Sequence, residues 1–159
     1  MRICAQRLTS LAFAVLVFPF AARAADTFYL GTWKIASAVV APWVEPGRKP
    51  GEAEMKSLVG KTVVIKTNEM TGPRQLACKG PKYVVKDYPA DMLFQGAFGE
   101  MQRRDSKADP VKIAASVGFH GASWKTLETG CATELDLHFA DPTTAAFGLN
   151  DYVYTMKKE

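Results

Sequence analysis

The stretch "ATELDLHFADPTTAAFGLNDYVYTMKK", Ala132 to Lys158, breaks into three short runs at Asp141-Pro142 and Asn150-Asp151, both natural turn pairs. In the first run Leu135, Leu137 and Phe139 alternate with Glu134, Asp136 and His138. Two-residue alternation places the apolar set on one face and the polar set, His138 included, on the wet one. That is the pattern of an antiparallel sheet with a single core side. In the last run Tyr152, Tyr154 and Met156 share a face, opposite Val153, Thr155 and Lys157.

Moving outward, β-branched and aromatic residues predict further strands in "TFYLGTWKIASAVV" (Thr27–Val40), "KTVVIKT" (Lys61–Thr67) and "KYVVKDY" (Lys82–Tyr88). "MLFQGAFGEMQ" (Met92–Gln102) reads as another, bent by a bulge at Gly96. "QRRDSKAD" (Gln102–Asp109) reads as a solvated loop. "DPVKIAASVGF" (Asp109–Phe119) is a marked helix: Asp109 caps, Pro110 needs no donor, Gly118 takes the left-handed stop, and Phe119 folds back. "EAEMKSLVG" predicts a shorter helix ending near Gly60. The chain is therefore expected to be mostly β: one antiparallel barrel of about eight strands with one or two short helices. Closure removes exposed edges. A two-sheet sandwich is the alternative.

The N-terminus has the make-up of a signal peptide. Arg2 and Arg7 precede the apolar run Leu11–Ala22, and Ala22-Arg23-Ala24 supplies a small-x-small cleavage pattern. Residues 1–24 are thus read as a leader, cut near Ala24, and 25–159 as a single domain, periplasmic or secreted, with no later membrane span. The leader holds Arg2, Arg7 and Arg23 and no acid. Of 20 basic side chains 17 then remain against 16 acidic, which gives no support for nucleic-acid binding. Cys4 leaves with the leader. Cys78 and Cys131 remain as a pair in an oxidising compartment, and a disulfide between them would contribute about 4 kcal/mol. The competing readings are two buried free thiols, or a scattered Cys-His site drawing on His120 or His138.

"YLGTWKIASA" resembles the opening of the lipocalin and fatty-acid-binding-protein (calycin) superfamily, whose first strand begins with Gly-x-Trp. The resemblance implies a lipocalin-like barrel in which Trp33 packs across one end and Gly31 lets the chain turn into the strand. The family's stacking arginine has no counterpart here, so Lys157 or Lys158 is left to approach Trp33.

Catalytic groups are not assembled by the sequence. There is no Gly-x-Ser-x-Gly; His120 stands near Ser123 in a loop, and Glu134 with Asp136 is an isolated carboxylate pair. The expectation is a non-enzymatic binding protein without cofactor or metal. Trp33, Tyr83, Phe94, Phe98, Tyr152, Tyr154 and Met156 are the candidate lining of a small apolar or amphipathic ligand site inside the barrel. The alternative is an exported protein-binding module, such as a lysozyme-type hydrolase inhibitor or an envelope stress factor.

Overall fold

The computed structural model describes residues 27–159. The expected leader and its expected cleavage point near Ala24 lie outside the described residues. Nine strands form one antiparallel sheet: β1 (Gly31–Val40), β2 (Thr62–Ile65), β3 (Glu69–Thr71), β4 (Cys78–Lys79), β5 (Val84–Pro89), β6 (Ser123–Glu128), β7 (Leu137–Asp141), β8 (Thr144–Leu149) and β9 (Tyr152–Lys158). Their order is β4-β3-β2-β1-β9-β8-β7-β6-β5. Two meanders are thus joined where the first strand pairs with the last. The sheet curls into a half-barrel whose edges, β4 and β5, do not pair with each other. Covalent closure substitutes for the missing ladder. Cys78 on β4 is bonded to Cys131, just past β6, with Cα atoms 5.9 Å apart, and the Lys82 amide donates to the Thr129 carbonyl at 2.9 Å.

Three short helices accompany the sheet, α1 (Glu52–Leu58), α2 (Leu93–Arg104) and α3 (Pro110–Ser116). The predicted caps operate: Asp109 Oδ1 accepts from the Val111 amide at 3.0 Å, Gly118 takes φ +94°, and the Phe119 amide returns to the Ala114 carbonyl. Among the described residues no helix is long and apolar enough to cross a membrane.

The expectation of a strand fails at Met92–Gln102: the chain makes a left-handed turn at Phe94–Gly96 and then runs on as a helix. Beyond the turn Phe98 and Met101 recur at helical spacing, and Glu100 pairs with Arg104 one turn on, at 3.0 Å. Strand-favouring phenylalanines and two glycines masked this period. Gly99 is there for packing, since a Cβ on it would lie 2.9 Å from the Asp91 carbonyl oxygen. The helix also absorbs Gln102–Arg104, shortening the expected loop.

Two cores result. The concave one holds Trp33, Ile35, Leu127, Leu137, Phe139, Phe147, Tyr154 and Met156. On the convex face α2 and α3 pack Leu93, Phe94, Phe98 and Phe119 against Trp124, Ala146 and Val153. That layer corrects the expectation of a wet face on β7: His138 is fully buried. The strand itself begins only at Leu137, because Glu134 turns at φ +52°.

Candidate functional site

One row of cross-strand partners crosses the concave face. Asp87 opposes Lys125, Lys125 opposes Phe139, Phe139 opposes Ala145, Ala145 opposes Met156, and Met156 opposes Ile35. Directly opposed residues share a face, so Asp87 and Lys125 stand on the same side of the sheet as the buried residues. From Ile35 to Phe139 the row is sealed in the core. At β6 and β5 it emerges: the Lys125 and Asp87 side chains are 49% and 59% exposed and form an ion pair at 2.9 Å.

A cleft of about 520 Å³ opens there, lined by Phe28, Ser123, Trp124, Phe139, Ala140 and Pro142, with Asp87, Lys125 and Asp141 as its charged groups. Phe28 and Phe139 meet edge-to-face at 4.7 Å, and Phe139 touches Trp33 on the core side at 5.6 Å. Trp33 itself is fully buried. Its Nε1 donates to the Tyr29 carbonyl at 2.9 Å, and Lys158 Nζ lies 5.5 Å from its ring centroid while donating to the Phe28 carbonyl. Of the two lysines considered, Lys158 is the one that reaches the ring. Gly31, at φ +131°, leaves room for it, since a Cβ would approach Lys158 Cε to 3.1 Å.

The residues expected to line a ligand site are divided by the structure. Trp33, Tyr152, Tyr154 and Met156 belong to the concave core, and Tyr83 packs against it. Phe147 and Tyr154 stack at 4.9 Å with planes 9° apart, which fills the interior between β8 and β9. The Tyr83 and Tyr154 hydroxyls are buried without a hydrogen-bond partner among the described residues. Burial pushes Tyr83 up to about 12 and Tyr154 upward as well, helped by nearby Glu54. Phe94 and Phe98 are not in this interior. They lie on the convex face, where the small residues of β8 receive them; a Cβ on Gly148 would sit 2.9 Å from Trp43 and 3.2 Å from Phe94.

Beneath Phe94 is the convex face's polar centre. His138 Nε2 accepts from the Phe94 amide at 2.8 Å, and Nδ1 lies 2.8 Å from Thr126 Oγ1. An amide only donates, so the ring is the neutral tautomer with its proton on Nδ1, directed at the threonine. Burial without a counter-ion lowers its pKa to about 3. The amide it holds opens a left-handed turn, Phe94 (φ 53°), Gln95 (φ 56°) and Gly96 (φ 76°). A left-handed conformation costs a non-glycine residue about 1–2 kcal/mol, and the His138 acceptor helps offset it. Alongside, Tyr88 donates to Glu128, which also accepts from Lys86 at 2.7 Å. Asp136 is raised to about 6 by burial and then by the Glu128 charge. Glu134 is exposed in its turn, so the expected Glu134–Asp136 pair gives way to a Glu128–Asp136 neighbourhood. His120 is exposed, and Ser123 lies in the cleft wall.

Among the described residues no three His, Cys, Asp or Glu side chains come together as a metal site. Sequence reading missed Phe28, Asp87, Lys125 and Asp141. Asp87 and Lys125 carry a signal only in retrospect, each two residues along its strand from an inward apolar residue, Val85 and Leu127. Comparison with family models, curated proteins and solved structures finds no match for the chain.

Proposed function

We propose that this chain is an exported single-domain binding protein that holds a small amphipathic molecule at the open part of its concave face. The observation that carries this reading is the Ile35-to-Asp87 row, which leaves the core at Lys125 and opens a cleft with aromatic walls and a charged rim. Its volume, about 520 Å³, falls within the range of small-molecule sites, roughly 300–1,000 Å³. The filled interior around Phe147 and Tyr154 supports moving the ligand from the barrel centre to this mouth. Export is supported by the leader pattern and by a disulfide suited to an oxidising compartment. The Gly31-Thr32-Trp33 opening, with Trp33 buried beneath Lys158, supports a calycin-like reading of the barrel. Binding, rather than catalysis, is the role we assign.

The test is mass spectrometry of organic extracts from gently purified wild type and Ser123→Trp, whose added ring would fill the cleft from an exposed position. A small molecule recovered from wild type and lost from a folded Ser123→Trp supports the reading. Equal recovery from both removes the ligand from this cleft. An empty extract together with a protein captured by pull-down favours the partner-module alternative.

A further inference from the structure

We propose that the cleft selects an amphipathic organic cation, its ammonium head held at the Asp141 carboxylate and its apolar body laid along Phe28, Phe139 and Pro142. This rests on the ligand-binding reading above and names the class of ligand. The charged residues lining the cleft are Asp87, Lys125 and Asp141. Lys125 Nζ already donates to Asp87 Oδ2 at 2.9 Å, so the cleft's base and one of its acids answer each other.

Asp141 is different. It accepts from the Thr143 amide and hydroxyl, both at 2.7 Å and both on Oδ1. Those bonds, with a smaller contribution from the Thr144 hydroxyl, hold the carboxylate below its ordinary pKa and keep it charged. No ion pair within 4.0 Å engages it among the described residues. Lys157, which contributes weakly to that lowering, gives its Nζ to Thr144 Oγ1 at 2.6 Å and lines a second cleft of about 310 Å³ that shares Ala140 and Asp141 with the first. The Asp141 carboxylate, bonded by the Thr143 amide and the Thr143 and Thr144 hydroxyls but paired with no base, is therefore the cleft's charge left for a ligand. An anionic head would have to displace Asp87 from Lys125 while facing a second carboxylate. Aromatic walls also favour a cation over an anion.

The experiment uses three probes with one tail, octylammonium, octanol and octanoate, titrated into wild type, Asp141→Asn and Lys125→Gln and read by amide chemical shifts at Phe28, Lys125, Ala140 and Asp141. Octylammonium is expected to bind about fivefold tighter than octanol, with octanoate weakest. Asp141→Asn keeps the Oδ1 acceptor for Thr143, so the turn survives, and it should bring octylammonium down to the level of octanol. Lys125→Gln frees Asp87 and should tighten octylammonium further. Octanol binding as well as octylammonium, or octanoate binding best, overturns the cation assignment and leaves the binding reading standing. No shift at these amides with any probe overturns both.

Discussion

The two faces of this sheet are held by different physics. On the concave face, period-two apolar residues from β1, β6, β7, β8 and β9 meet directly, and Trp33, Phe147 and Tyr154 need only local alternation to point inward. The convex face is sealed by α2 and α3, and its centre is a polar ring, His138, bonded to the start of a left-handed turn. Hydrophobic burial is non-directional and tolerates repacking. A buried hydrogen-bonded imidazole does not, because its acceptor role depends on charge state. The convex layer should therefore be the acid-sensitive half, and the concave core the half that responds to lost volume.

The largest effect expected is acid loss of the convex layer. A folded pKa of about 3 for His138 lies below its unfolded value of 6.5, so its stabilising contribution is complete above pH 6.5 and is lost as pH falls toward 3. Over that window the loss approaches about 5 kcal/mol. Urea midpoints between pH 7 and pH 4 capture about 3 kcal/mol of it, with His138→Leu as the comparison. If the pH slope is unchanged in that variant, the histidine is not its source, and the contrast between faces loses its main support.

Next is Trp33→Ala, which should cost about 3–5 kcal/mol by opening the concave core. Its unfolding free energy should fall similarly at pH 7 and pH 5, unlike the His138 effect. A loss under about 1 kcal/mol would mean the core collapses around the deletion and does not depend on that ring.

The smallest effect has the opposite sign. Asp136 is raised to about 6, so its stabilising contribution is complete below pH 3.8 and is lost as pH rises through 6. Asp136→Asn should then stabilise the fold at pH 7 by about 1–2 kcal/mol after allowance for solvent screening, and by nothing below pH 4. Thermal melts at the two pH values decide it. A variant destabilised at pH 7 would show the carboxylate to be a needed partner on the convex rim.

Local pattern made the concave face legible. The alternation at Leu137 and Phe139, the shared face of Tyr152, Tyr154 and Met156, the Asp109 cap and the two-cysteine pairing all follow from residue type and spacing. The convex face was not legible on the same terms. His138 alternates with apolar neighbours as an exposed residue would, and only α2 and α3, distant in sequence, turn that side into an interior. Local pattern puts Phe94 and Phe98 inside the barrel because a strand and a glycine-containing helix share the same apolar letters until a partner surface selects the period.

By itself, then, the chain's order of residues determined an antiparallel β architecture, its hairpin turns, its capped helix and the cysteines that tie edge strand β4 to the chain just past β6, because each depends on contacts only a few residues apart or on the pairing of two thiols. Tertiary structure alone decided where the curl stops, and so that two charged residues on inward-facing strand positions stay wet. Asp87 and Lys125 border a cleft where the sheet runs out at its unpaired edge β5, and that outcome depends on sheet curvature and strand order, which no local spacing encodes.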